Sequence, residues 1–268
     1  MRVFCVALVL GGLTACDSSE PESAAATATT QPGASQVAVA SADSAAVEAR
    51  RTEHYELRVA QPTIDPSHLP LLRAVSVYSG QTRDEFVGQV EAAKAEGFQF
   101  ESPWSLELEM RTVIDSPQLV VVEASGYQFQ GGAHGVPLQA SFVYLVESSQ
   151  VMGIADWFAD EAVWAVISSE SIATLKTELA PLEGEDDDAS EEALDAEAGQ
   201  WLADGAGPDP HNFHLYRPLV GVQGEISGFQ ISFAPYQVAP YAAGSPTVEI
   251  SADSLKPFLK SEFVEFFQ

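Results

Sequence analysis

The sequence predicts an α+β fold in which mainly antiparallel sheets pack with helices, in two intimately associated subdomains. Two observations carry this. Short runs rich in Val, Tyr and Phe alternate apolar and polar residues at the period of a strand, whereas two longer stretches repeat apolar residues at the helical period. The class is α+β with mainly antiparallel sheet.

In chain order, His54 to Val59 puts Tyr55, Leu57 and Val59 on one face, and Trp104 to Met110 does the same with Trp104, Leu106, Leu108 and Met110. Both read as half-buried strands. Between them, Thr82-Arg83-Asp84-Glu85 has the form of a capping box opening a helix that carries Phe86, Val90 and Ala93, with Gly97 as its stop. Gln118 to Phe129 and Leu138 to Val146 read as two antiparallel strands joined irregularly through Gly131-Gly132-Ala133-His134-Gly135.

Asp160 to Leu179 repeats Val163, Val166, Ile167, Ile172, Leu175 and Leu179 at helical spacing, and Glu191 to Ala203 forms a further helical stretch. The acidic run between them, residues 183–190, reads as a solvated loop. Strands follow near Phe213 to Tyr216, Phe229 to Ala234 and Thr247 to Ile250, then a short C-terminal helix with Phe258, Phe263 and Phe267.

The first residues say where the protein works. Val3 to Leu10 is far shorter than the ~20 residues a spanning helix needs, but with Arg2 before it the segment suits a secretory signal, residues 1–15. Leu13-Thr14-Ala15-Cys16 resembles the lipobox of bacterial lipoproteins, which implies lipid on Cys16 and an anchor worth ~0.8 kcal/mol per buried methylene. Asp17, next to it, resembles an inner-membrane retention signal, which implies the periplasmic face of that membrane ahead of the outer membrane. Cys5 leaves with the signal, so no disulfide is expected.

Residues 16–50 are rich in Ala, Ser and Thr with scattered Pro, lack aromatics, and read as a disordered tether with an r.m.s. reach of ~30 Å. With no second spanning segment, everything after Cys16 is expected on one side of the membrane. Residues 51–145 and 146–268 are the expected subdomains. The chain has 12 Lys and Arg against 39 Asp and Glu, a net charge of −27. Such a field opposes nucleic acid and favours cationic partners or simple solubility.

Reaction motifs are absent: no Gly-x-Ser-x-Gly elbow, no His-Glu-x-x-His, no phosphate-binding glycine loop and no paired Cys-x-x-Cys. The acidic run fails as an EF-hand, since a loop starting at Asp186 has Glu191 where the turn needs Gly. His211 and His214 lack the fixed spacing of metal ligands, and no cofactor is expected. His134 sits among glycines that can display a side chain, with a structural role expected ahead of a catalytic one.

The most unusual run extends from Ser232 to Ile250 and contains Pro235-Tyr236-Gln237-Val238-Ala239-Pro240-Tyr241-Ala242-Ala243-Gly244. Its prolines limit ladder donors and Gly244 eases a turn, leaving Tyr236 and Tyr241 for core packing or for a glycan-stacking surface. Together with Tyr127 to Gly135 and Ala155-Asp156-Trp157-Phe158, the run resembles the extracytoplasmic module of RsiV-like lysozyme-sensing anti-sigma factors and the non-catalytic part of PdaC-like deacetylases. That module is domain of unknown function 3298, usually preceded by companion domain 4163.

The resemblance spans nearly all of residues 51–268 and implies an α+β envelope module, 4163-like in its first part and 3298-like in its second. The chain lacks the membrane span and cytoplasmic segment of an anti-sigma factor, and lacks the Thr-Phe-Asp-Asp-Gly motif of the deacetylase domain. The expectation is therefore a non-enzymatic binding or sensing lipoprotein for peptidoglycan-type glycan or a cationic protein such as lysozyme, with His134, Tyr236 and Tyr241 as ligand-binding candidates. The alternatives are an envelope polysaccharide hydrolase using His134 with nearby acids, and a structural partner in a membrane-associated assembly.

Overall fold

The computed structural model describes residues 44–132, 134–179 and 199–267. Six strands form one sheet in the order in which they occur: β1 (Ser44–Arg51), β2 (Tyr55–Pro62), β3 (Trp104–Asp115), β4 (Leu119–Phe129), β5 (Val136–Leu145) and β6 (Gln150–Met152). Neighbours are antiparallel except β2 and β3, which run parallel because the long helix α1 (Leu69–Ala95) carries the chain back across the sheet between them.

Helix α1 starts well before the expected capping box. Pro70 lies in its first turn, where a missing N–H costs nothing, and Leu71 and Val75 extend the buried stripe upstream of Phe86 and Val90. Thr82 sits inside the helix and turns its hydroxyl back to the Tyr78 carbonyl at 2.9 Å. A box that caps a free end is thus also compatible with a helix interior once upstream residues have a core to bury against. Gly97 ends the helix as expected, at φ 78°.

Gly88 is exposed in mid-helix, and a Cβ there would meet no atom within 4 Å. Gly88→Ala should therefore raise stability by about 1 kcal/mol through helix propensity alone. A urea midpoint that stays put or falls would contradict this.

The sheet separates two cores. Toward α1, its buried residues pack with Tyr55, Leu57, Leu108, Met110, Val122 and Tyr144. On the other face, at the β4 to β6 end, Leu119, Val121, Val143 and Leu145 meet α2 (Val163–Leu179) and a three-stranded antiparallel sheet. That sheet comprises β7 (Tyr216–Val220), β8 (Ile226–Ser232) and β9 (Thr247–Ser251). Strand alternation in β4 does the sorting, sending Val120 and Val122 one way and Leu119 and Val121 the other. A bulge between Thr112 and Ile114 of β3 moves Ile114 from the α1 side to the second core.

Other expectations shift. The tether was expected through residue 50, but β1 pairs with β2 from Ser44 onward; an edge strand needs few apolar residues, so its composition hides it. The division at residue 145 falls inside the β5–β6 hairpin, and β4 and β5 serve both cores. The strand expected near Phe213 is a 3-10 turn, Pro210–Phe213, with β7 beginning only at Tyr216. Pro218 masks β7 in the sequence and is tolerated because β7 lies at the edge of its sheet.

The expected helix from Asp160 begins at Val163, and the stretch 199–205 is helical (α3) with Leu202 buried. The C-terminal helix is instead α4 (Ala252–Leu255) followed by the 3-10 turns Lys256–Phe258 and Ser261–Phe266, Pro257 interrupting helical hydrogen bonding. Its Phe263 and Phe267 still reach the second core, against Trp157.

Candidate functional site

Two connections build the site. The β4–β5 connection holds Gly131 at φ 91° and Gly132 at φ 101°, left-handed conformations open to glycine, and these swing His134 out from the sheet end. The second is the Pro-Tyr run after β8. Its backbone is pinned by Gln237, whose Oε1 accepts from the Ala234 N–H at 3.0 Å while Nε2 donates to the Gly205 and Asn212 carbonyls at 2.9 and 2.8 Å. Gly205 permits this approach, since a Cβ there would stand 1.8 Å from the Gln237 carbonyl oxygen.

With Gln237 anchored, Val238 and Ala239 enter the second core, while Tyr236, at φ 71°, and Tyr241 face outward. The tyrosines are 47% and 40% exposed, which settles the choice between core and surface: the run inserts its valine and displays its rings. Gln139 of β5 fastens the far side of the loop, donating to Ser245 Oγ at 3.0 Å.

The structure brings His134, Tyr236 and Tyr241 into one cluster. The His134 and Tyr241 rings are stacked at 4.5 Å with planes 15° apart, Tyr236 lies 5.5 Å from Tyr241, and the Tyr236 hydroxyl meets His134 Nε2 at 3.1 Å. His134 Nδ1 faces the Gly135 carbonyl at 3.3 Å. The ring thus contacts two phenols and a backbone oxygen, an arrangement suited to holding an aromatic surface.

The face of β3 to β5 turned from α1 meets the small sheet across a separate cavity of about 310 Å³. Arg111, Glu123, Ser125 and Gln139 line one wall, with Gln230 and Ser232 on the other. Arg217 ties the walls together, donating to Gln230 Oε1 at 2.8 Å and lying 3.5 Å from Glu123. Burial raises the Glu123 carboxyl above its ordinary range against the opposing pull of Arg217.

His211 and His214 lie elsewhere. His211 Nδ1 meets Asp209 Oδ1 at 2.9 Å, and the His211 backbone and side-chain hydrogen bonds hold the Asp209 carboxyl below its usual range. His214 faces the His211 carbonyl. Among the described residues, no three His, Cys, Asp or Glu side chains gather as metal ligands. Cys16, Asp17 and the acidic run 183–190 lie outside the described residues.

Sequence reasoning missed Gln237 and Gln139, whose importance lies in distant partners. It also missed a second aromatic group, in which Phe98, Phe100 and Trp104 meet pairwise at 5.1 to 5.5 Å and His54 packs on Phe100 at 5.0 Å. The signal was present as Phe98-x-Phe100 directly after the helix-stopping Gly97.

No family model matches the sequence, and no curated protein matches it. Solved structures do. A DUF3298 family member from Bacteroides fragilis superposes with a TM-score of 0.51 at 16% identity, covering 82% of this chain and 94% of that one. The fold is that of a DUF3298 protein. A DUF3298 family protein from Pseudomonas aeruginosa gives a TM-score of 0.49 at 18% identity, over 81% of this chain and 94% of its own. Within this DUF3298 fold, the outward-facing rings belong to the connections at the sheet ends, where side chains are free of packing duties.

Proposed function

We propose that the protein is a non-enzymatic, lipid-anchored module of the cell envelope that binds a cell-wall glycan on the surface formed by His134, Tyr236 and Tyr241. The observation that carries this reading is the ring cluster itself: aromatic faces half open to solvent, held on a loop whose backbone Gln237 secures before any ligand arrives. Sugar rings present C–H faces that pack on aromatic faces, and a loop already held in place loses little freedom on binding.

Cys16→Ser should shift the protein from the membrane to the soluble fraction, since lipid is the proposed hold and no described helix is long and apolar enough to span. A protein that stays in the membrane pellet after this change would remove the anchor from the reading.

The glycan reading is tested by titrating detergent-solubilised full-length protein with peptidoglycan fragments. Tyr241→Ala should weaken binding about tenfold, or about 1.4 kcal/mol, with little change in melting. An unchanged affinity in the folded variant would defeat the ring surface as the site. The net charge of −27 favours a second reading, capture of a basic protein such as lysozyme. Its signature differs: affinity should fall steeply with salt, since such attraction is screened over ~8 Å at physiological ionic strength, whereas ring stacking should change little.

A further inference from the structure

Strand β1 is the longest of the four edge strands, with eight residues against five in β7 and β9 and three in β6. Short edges, and edges broken by proline as β7 is by Pro218, resist pairing with another chain. From Val47 to Arg51, β1 keeps a regular register with β2, contains no proline, and has no strand on its outer side among the described residues. Val47 and Ala49 are exposed there.

The hairpin fixes which backbone groups are free. The Thr52 N–H donates to the Tyr55 carbonyl at 2.8 Å, and hydrogen-bonded pairs alternate along an antiparallel ladder. Arg50 and Glu48 therefore turn their backbone groups to β2, whereas Val47, Ala49 and Arg51 turn theirs outward. Side chains alternate by face. Glu48 and Arg50 lie on the α1 side, where Glu48 meets Arg83 at 3.2 Å, and Ala49 and Arg51 lie on the other, where Arg51 meets Glu56 at 3.0 Å.

A second copy pairs with this edge only when outward residues stand opposite outward residues, so the two-fold axis must pass through a residue. Charge chooses which one. An axis at Glu48, Arg50 or Arg51 sets like charges directly against each other, which is unfavourable. An axis at Val47 leaves Arg50 with no opposed charge and runs the pairing into the irregularity between Ser44 and Ala46. An axis at Ala49 sets Glu48 opposite Arg50 of the second copy, twice over, with only two methyl groups at the centre.

We propose that β1 is a self-association edge, through which two copies join their six-stranded sheets by antiparallel pairing centred on Ala49. Val47, Ala49 and Arg51 of the two copies then exchange about six backbone hydrogen bonds. The net charge of −27 works against any pairing of copies, so the dimer should be concentration-dependent.

The test uses detergent-solubilised full-length protein carrying Ala49→Cys, oxidised with copper phenanthroline, with the unaltered chain and its Cys5 and Cys16 as background. Linked dimer should exceed background about tenfold, because opposed hydrogen-bonded residues stand ~5.5 Å apart at Cα, within disulfide reach. Val47→Cys should stay at background, since the two Val47 positions are offset by four residues, or ~13 Å. Added to Ala49→Cys, Val47→Pro removes an outward N–H without loss of a bond to β2, and Arg50→Glu opposes two carboxylates; each should cut the linked dimer about fivefold with little change in melting. Light scattering over a dilution series should show the unaltered protein dissociating, and Val47→Pro monomeric throughout. Background linking by Ala49→Cys, equal linking by Val47→Cys, linking unmoved by both added substitutions, or an unaltered protein monomeric at every concentration would each overturn the proposal.

Discussion

Trp157→Ala is expected to cost about 4 kcal/mol of stability, the largest effect of any single truncation considered for this fold. Trp157 is fully buried at the centre of the second core, with its ring against Phe229, Phe263 and Phe267 at 5.0 to 5.8 Å. Its indole N–H donates to the Tyr216 hydroxyl at 2.8 Å, which in turn donates to the Met152 carbonyl at 2.9 Å. Burial pushes the Tyr216 phenol far above its ordinary range, so it remains protonated and keeps both roles.

Truncation leaves a cavity flanked by three phenylalanines from two distant segments and removes one partner of a buried hydroxyl. For a domain of this size the melting temperature should fall by about 10 °C. Trp157→Phe separates the contributions: it keeps most of the packing and loses the N–H, so it should cost about 1 to 2 kcal/mol. A melting shift below about 2 °C for the alanine variant would show that the second core does not depend on this ring.

Gly205→Val should both destabilise the protein, by about 3 kcal/mol, and abolish ligand binding at the ring surface. The added Cβ would overlap a backbone carbonyl, that of Gln237, which cannot swing aside as the tip of a long side chain can. The loop must lift, and the Gln237 bonds to the Gly205 and Asn212 carbonyls go with it. Tyr236 and Tyr241 then lose their fixed positions over His134, so glycan affinity should fall further than in Tyr241→Ala. Gly199→Ala is the control within the same helix, where nothing stands within 4 Å of the added carbon. If Gly205→Val binds as the unaltered protein does, the ring cluster is not the site.

Much of the fold could be read from local pattern. The alternation of Tyr55, Leu57 and Val59 and of Leu106, Leu108 and Met110 predicts β2 and β3, and the structure buries those residues against α1. Gly97 stops α1, the glycines before His134 turn the β4–β5 connection, and the helical period from Val163 to Leu179 is α2. Where local pattern failed, a competing local feature imitated or hid the signal. Thr82 offered a false helix start, Pro257 broke the last helix, and β1 and β7, at sheet edges, needed too few apolar residues to stand out.

By itself, then, the sequence determined the α+β class, most strands, and the residues worth suspecting at the site: a histidine among glycines and two tyrosines beside prolines. Period and turn chemistry are properties of a few neighbouring residues, so they are written locally. Only the tertiary structure decided that those three rings meet, because His134 and Tyr236 are 102 residues apart and come together through packing of the small sheet on β4 and β5. It also decided that the tyrosines face solvent while Val238 is buried, since that outcome depends on Gln237 reaching two carbonyls from another part of the chain.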